Sequence, residues 1–188
     1  MSDDALFGSI EDKLETHIYH YTSAHKLLEI FESGSIYTSD SLLDLTGASG
    51  GNPYVVWLTD LTFLETPQML KSNLYDKAEM RVVVEKTSEY IQADKWYKEK
   101  GATDDGIEFI EKVAGSSSST WYVLERELCV DEFIRIEYLK INPQDTSMRY
   151  WEQLDIKKFV NGEYTSSKND EREHDNLLYD IDKHLGID

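Results

Sequence analysis

The chain has 188 residues, and its 19 Lys and Arg against 37 Asp and Glu give a formal net charge of −18 at pH 7. This length is typical of one domain with a sizeable core, so a second independent domain is not expected. A charge this negative repels nucleic-acid phosphates, so direct DNA or RNA binding is not expected. A protein partner, for example a basic one, is favoured. Solubility is the alternative explanation of the charge.

No segment approaches the roughly 20 consecutive apolar residues that span a bilayer. The N-terminal sequence MSDDALFGSIEDKLE also lacks the basic and apolar regions of a signal peptide. We therefore expect a cytoplasmic protein without membrane contact. The one cysteine, Cys129, stands in the apolar run LCV, which predicts burial as a small hydrophobic residue.

The first part of the chain is predicted to contain two short strands around a helix. Residues 1–16 form an acidic N-terminal arm or helix, and the aromatic, β-branched run HIYHY (17–21) predicts a strand. Residues 23–34 have apolar side chains at helical spacing and end in Gly34, a typical helix stop. The run SIYTS (35–39) predicts the second strand.

Four further strands are predicted downstream of a Gly-rich loop. YVVWLT (54–59) is almost wholly apolar, as in a buried central strand, and MRVVVEK (80–86) is a further strong strand candidate. WYVLE (121–125) and EFIRIEYLKI (132–141) follow the run SSSS (116–119), which predicts a flexible loop. Three polar segments around the second buried strand are predicted as helices: residues 66–79, 88–100 and 104–115.

Strands and helices mix without regular β-α alternation, which favours an α+β fold with a mixed or antiparallel sheet and helices around it. Residues 17–142 are assigned to the core. Residues 143–188 are assigned to a helical, acidic C-terminal extension of the same compact unit, with a polar linker at 161–173 and a terminal helix at 175–185.

Several common chemistries are not indicated by the sequence. There is no Gly-rich phosphate loop ending in Lys-Ser or Lys-Thr and no G-x-S-x-G nucleophile turn. His17 and His20 are three residues apart on a predicted strand, so their side chains point to opposite faces. A metal site is therefore not expected.

One arrangement resembles the ADP-ribosyltransferase superfamily, which includes poly(ADP-ribose) polymerases, DarT-type toxins and RNA 2′-phosphotransferases. The first motif of that family is a strand histidine followed by a hydroxyl residue and a helix ending in Gly, and His20, Thr22 and Gly34 stand in that order here. VVWLTD (55–60) is similar to the strand that presents an aromatic side chain to nicotinamide.

The third motif of the family is a glutamate ahead of a strand that ends in Tyr-Leu. Glu125 stands nine residues before IRIEYL (134–139), and this arrangement is similar to the family's third motif. Glu127 is a close alternative, because strict alternation along WYVLERE would place both glutamates on one face. The resemblance covers residues 17–140 and implies a split sheet with NAD bound in it and no metal.

The resemblance also implies roles for individual residues. His20 would hold a ribose hydroxyl, main-chain groups of Tyr21 would pair with the carboxamide, and Trp57 would support the nicotinamide ring. Thr22 would add a hydrogen bond, and Arg81 is the candidate cation for the pyrophosphate. The carboxylate of Glu125, or of Glu127, would stabilise the positive charge that develops on the nicotinamide ribose as the glycosidic bond breaks.

Two functions remain open from the sequence. The first is NAD-dependent mono-ADP-ribosyl transfer onto a protein or a small molecule, in a toxin, immunity or phage counter-defence setting. The alternative is a non-enzymatic acidic inhibitor, a degenerate transferase fold or a DNA mimic, that blocks a basic partner. The acidic residues near both ends of the chain favour the alternative.

Overall fold

The computed structural model describes residues 16–41, 53–64, 77–142 and 144–160. These residues form an α+β fold in which every strand pairing is antiparallel. The predicted N-terminal arm, the linker at 161–173 and the terminal helix at 175–185 lie outside the described residues, and so does most of the helix predicted at 66–79.

The strands are β1 His17–Thr22, β2 Ser35–Ile36, β3 Ser39–Asp40, β4 Tyr54–Thr59, β5 Met80–Glu85, β6 Ile91–Gln92, β7 Trp121–Leu124, β8 Leu128–Cys129, β9 Phe133–Asn142 and β10 Asp145–Gln153. The predicted strands at 17–21, 54–59, 80–86, 121–125 and 132–141 are confirmed to within two residues. The main sheet has the strand order β10-β9-β5-β1-β4-β7-β6. β3 pairs with the first two residues of β4, and β2 and β8 form a separate two-stranded ribbon.

Helix α1 (Ala24–Ser33) follows β1 and confirms the helix predicted at 23–34. It begins where the hydroxyl of Ser23 accepts a hydrogen bond from the main-chain N–H of Lys26. It ends where Gly34 adopts a left-handed conformation (φ 79°) and donates its N–H to the carbonyl of Ile30. The other helices are α2 Ala93–Glu99, α3 Asp104–Ala114 and α4 Ile156–Val160.

The sheet has two buried faces, because side chains alternate along each strand. The face that packs against α1 carries Ile18, Val56 and Val82 together with Leu27 of the helix, and we call it the α1 face. The opposite face packs against α2 and α3 through side chains such as Trp96, and we call it the α2 face. Which face a β1 or β4 side chain occupies decides whether it reaches the candidate site.

A buried ion pair crosses the α2 face. The guanidinium of Arg81 on β5 donates to Glu137 on β9 through Nε and Nη2, both at 2.6 Å, and through Nη1 to the carbonyl of Thr62 at 2.7 Å. The same guanidinium lies 4.1 Å from the ring centroid of Tyr19 and 4.3 Å from that of Trp151. One side chain thus connects strands β5, β9, β1 and β10.

Several predictions need correction. Residues 145–153, assigned to a helical extension, form strand β10 and pair with β9, so the boundary after residue 142 does not divide the sheet. The run 35–39 is two short strands, because β2 pairs with β8 whereas β3 pairs with β4. Cys129 is exposed, because it points outward on β8 while its neighbour Leu128 points into the core.

Two of the predicted loop and helix segments also differ in detail. The run SSSS ends in a 3-10 turn at Ser118–Thr120, where Glu111 accepts hydrogen bonds from the N–H and the hydroxyl of Ser118. The helix predicted at 88–100 begins only at Ala93, because Ile91 and Gln92 pair with β7 as β6. Among the described residues, no helix is long and apolar enough to cross a membrane.

Replacing Arg81 with Met should lower the free energy of unfolding by about 3–5 kcal/mol, because Glu137 would keep a buried charge with less compensation. Arg126→Met is the matched control: Arg126 is exposed and pairs with Glu89 and Glu132 at the surface, where ion pairs contribute at most about 1 kcal/mol. Urea denaturation of both variants measures the difference. Equal losses of stability would contradict the assigned role of Arg81.

Candidate functional site

A cleft of about 440 Å³ opens on the α1 face beside the C-terminal half of β1. Its volume lies within the range of small-molecule sites. It lies between β1, helix α1 and the segment that runs from β2 to β3. The polar and aromatic residues discussed below that line the cleft are His20, Thr22, Ser35, Tyr37, Thr38 and Lys77.

The cleft lies beside β1, close to the point where β1 stops pairing with β4. All six residues of β1 pair with β5. With β4, in contrast, β1 forms a single residue pair, Tyr19 with Thr59. Beyond that pair the carbonyl of Trp57 on β4 accepts a hydrogen bond from Nδ1 of His20, at 2.9 Å. A side chain therefore replaces a main-chain partner, and the sheet is open at this point.

This hydrogen bond determines the tautomer of His20. A carbonyl oxygen only accepts, so Nδ1 carries the proton and Nε2 has a free lone pair in the neutral ring. Burial lowers the pKa of His20 from 6.5, and the hydrogen bond to Trp57 offsets this only in part, so the ring is neutral at pH 7. Within the described residues Nε2 has no hydrogen-bond partner and remains an acceptor at the wall of the cleft.

Thr22 and Tyr21 follow His20 on β1 and point to opposite faces. Thr22 is on the α1 face with His20, lines the cleft, and its hydroxyl has no partner in the part of the chain described. The side chain of Tyr21 lies on the α2 face, where its hydroxyl donates to the carbonyl of Leu61 at 2.8 Å. Only the main chain of Tyr21 is available to the cleft, which is the part that the resemblance uses.

The side chain of Trp57 is not in the cleft. It lies on the α2 face, 6.2 Å from the ring of Tyr97 and 6.4 Å from that of Trp121, measured between centroids. The structure thus brings the carbonyl of Trp57 to His20 but places the indole on the other side of the sheet. Arg81 is likewise on the α2 face, in the ion pair with Glu137, and does not line the cleft.

The two candidate glutamates point in different directions. β7 ends at Leu124, and the chain bends at Glu125 and Arg126, so the strict alternation expected along WYVLERE does not continue. Glu125 lies against α2, where its Oε1 accepts hydrogen bonds from Nζ of Lys100 at 2.6 Å and from Nε1 of Trp96 at 2.9 Å. These bonds, with that from Lys100 the stronger cause, hold the pKa of Glu125 below its usual value.

Glu127, in contrast, is connected to the cleft. Its Oε2 accepts a hydrogen bond from the hydroxyl of Ser35 at 2.9 Å, and Ser35 is one of the lining residues. The pairing of β2 with β8 holds these two residues together across 92 positions of sequence. Glu127 is not itself a lining residue, but its hydrogen bond to Ser35 places it next to the cleft wall, whereas Glu125 lies against α2.

Sequence reasoning did not single out Ser35, Tyr37 or Lys77 as site residues. Tyr37 is 61% exposed and Lys77 is half-buried, and both line the cleft. The β2–β8 ribbon brings Ser35 to Glu127. It consists of only two residue pairs and has no distinct sequence pattern. Only the exposed aromatic in a predicted short strand, Tyr37, was a usable signal.

Comparison of the chain with protein-family models, with curated proteins and with solved structures found no match. The chemistry of the cleft is therefore interpreted from the residues that line it. In the described ranges, no group of three or more His, Cys, Asp or Glu residues is arranged to hold a metal ion.

The neutral state of the half-buried His20 ring predicts a measurable pH dependence. Its pKa is lower in the folded protein than in the unfolded chain, so unfolding takes up a proton below pH about 6.5. The free energy of unfolding should therefore fall as the pH is lowered from 7 to 5, by more in the wild type than in His20→Gln. Urea titrations at several pH values test this, and parallel profiles for the two proteins would contradict it.

Proposed function

We propose that this chain is an NAD-dependent mono-ADP-ribosyltransferase whose NAD site is the cleft beside His20. The observation that carries the proposal is the opening between β1 and β4, where the free Nε2 of His20 and the hydroxyl of Thr22 line the same cleft. Two such groups suit a sugar, since the imidazole accepts from one ribose hydroxyl and the threonine bonds to a neighbouring oxygen. The resemblance in sequence points to the same ligand.

The open edge of β1 supports binding of the nicotinamide end. Antiparallel pairing with β4 stops at Tyr19, so main-chain groups near Tyr21 are not used by a ladder with β4. A primary carboxamide carries one acceptor and two donors, and it pairs with a strand edge as another strand would. The ring platform in this arrangement is not Trp57, whose indole lies on the α2 face. Tyr37 is an exposed aromatic residue that lines the cleft and is the proposed platform.

We assign the catalytic carboxylate to Glu127. In the transfer, the bond from C1′ of the ribose to the nicotinamide nitrogen breaks, and its electron pair leaves with neutral nicotinamide. The acceptor's nucleophile bonds to C1′ and gives its proton to solvent or a nearby base. The carboxylate of Glu127, oriented by the hydroxyl of Ser35, accepts a hydrogen bond from the ribose 2′-hydroxyl and stabilises the positive charge on the sugar.

Glu125 has a structural role in this proposal. Its carboxylate is shared between Lys100 and Trp96, and it holds α2 against the end of β7. Moving it to the cleft would break both hydrogen bonds and carry the side chain around the edge of the sheet. A carboxylate committed in this way does not serve the sugar on the other face.

The acceptor is proposed to be a protein, and a basic surface on it is favoured. The net charge of −18 opposes the approach of nucleic acid and favours a surface rich in Lys and Arg. The same charge favours the second candidate function, a non-enzymatic acidic protein that blocks a basic partner. Incubation with radiolabelled NAD and cell lysate separates the two, because only the transferase releases nicotinamide and labels a protein.

Replacing Glu127 with Gln should abolish nicotinamide release from NAD and leave NAD affinity nearly unchanged, because the carboxylate acts mainly on the developing cation. Glu125→Gln removes the same charge two residues away and should keep most of the activity. Initial rates and calorimetric affinities for both variants give the comparison. An inactive Glu125→Gln beside an active Glu127→Gln would reverse the assignment.

Replacing His20 with Ala should weaken NAD binding by about 1–3 kcal/mol, the usual range when a hydrogen-bonding partner is lost. Calorimetry on the wild type and the variant measures the difference directly. His17→Ala is the control, because His17 is on the same strand and does not line the cleft. Equal NAD affinity in wild type and His20→Ala would remove the central contact of the proposal.

A further inference from the structure

The cleft contains one cation that no carboxylate neutralises within the described part of the chain. Lys77 is half-buried at the cleft wall, just before β5, and forms no ion pair or hydrogen bond there. We infer that Lys77 binds a phosphate group of the ligand, so that the cleft takes a phosphorylated nucleotide and not a free nucleoside. The identification of that nucleotide as NAD rests on the proposed function.

The other basic side chains near β1 are already paired. Lys26 also lines the cleft, but its Nζ lies 2.5 Å from Oε2 of Glu29. Arg81, which the sequence suggested for the pyrophosphate, forms the buried pair with Glu137 on the opposite face. An ammonium group without a partner is thus available at the cleft only from Lys77, as far as the described residues extend.

The N-terminus of α1 does not supply an alternative anion site. Its first main-chain N–H groups are occupied, since that of Ala24 donates to Oε1 of Glu79 at 3.0 Å and that of Lys26 donates to Ser23. The negative charge of Glu79 also compensates the positive end of the helix dipole. A phosphate in the cleft therefore depends on a side-chain cation.

The net charge of the chain makes such a cation necessary. With a charge of −18, the long-range field opposes an anionic ligand, so an affinity for phosphate has to come from a local contact. A half-buried ammonium group is less screened by solvent than one on the open surface, which strengthens its attraction for a phosphate oxygen. The hydroxyl of Thr38 also lines the cleft and is a suitable neutral donor.

The test is calorimetric titration of NAD, ADP and nicotinamide riboside into wild type, Lys77→Gln and Lys95→Gln. Lys95 is exposed on α2 and away from the cleft, so its variant makes the same change in net charge. We expect Lys77→Gln to weaken NAD and ADP binding about tenfold or more, as for loss of a charge-assisted hydrogen bond. Nicotinamide riboside should bind both variants as it binds the wild type.

Each outcome separates the two proposals. If NAD binds Lys77→Gln as well as wild type, the role of Lys77 is overturned while the proposed function stands. If the wild type binds ADP but not NAD, and Lys77→Gln loses ADP, the phosphate site is supported and the NAD-dependent function is overturned. If Lys95→Gln weakens binding as much as Lys77→Gln, the effect is one of net charge and the assigned contact is wrong. If neither nucleotide binds the wild type, both proposals are overturned.

Discussion

The buried ion pair between Arg81 and Glu137 is the constraint on which the rest of the sheet depends. The two charged groups are stable in the interior because nearly all of their polar contacts are made. They bind each other, and the guanidinium also binds the carbonyl of Thr62 and lies against aromatic rings. The pair fixes β5 against β9, and the stacking of Tyr19 fixes β1 against β5. With β1 held on that side, its other edge is free to separate from β4.

That separation is the feature that makes a site possible in this fold. A continuous ladder from β1 to β4 would bury the main-chain groups near Tyr21 and close the sheet. Instead His20 spans the opening with one ring nitrogen and leaves the other unpaired. The same side chain therefore holds the strands at a fixed separation and presents an acceptor to the cleft.

Charge distribution gives the cleft and the surface different functions. The chain as a whole is strongly acidic, whereas the cleft is lined by several serine and threonine residues and has an unpaired ammonium group from Lys77 within the described residues. An anionic ligand is thus attracted only at short range, after it has entered the cleft. A basic protein is attracted at long range by the surface as a whole. This arrangement is compatible with the two substrates proposed above, an anionic nucleotide and a basic protein.

The sequence alone determined the secondary structure of the core and the position of the histidine strand. The apolar runs at 54–59 and 80–86 are long enough to identify buried strands, and Ser23 with Gly34 delimits α1, because these signals are local. The α+β class followed from the order of these elements. The assignment of residues 145–153 to a helical extension was wrong, because the strand there becomes clear only through its pairing with β9.

Only the tertiary structure decided which candidate residues share one site. Alternation along a strand assigns side chains to two faces, but it does not say which face carries the cleft, so Trp57 and Arg81 could not be separated from His20 in advance. The proposed preference for Glu127 over Glu125 rests on the bend after Leu124 and on a hydrogen bond from Ser35, 92 residues away in sequence. Long-range contacts of this kind have no local pattern, because they arise when distant strands pair.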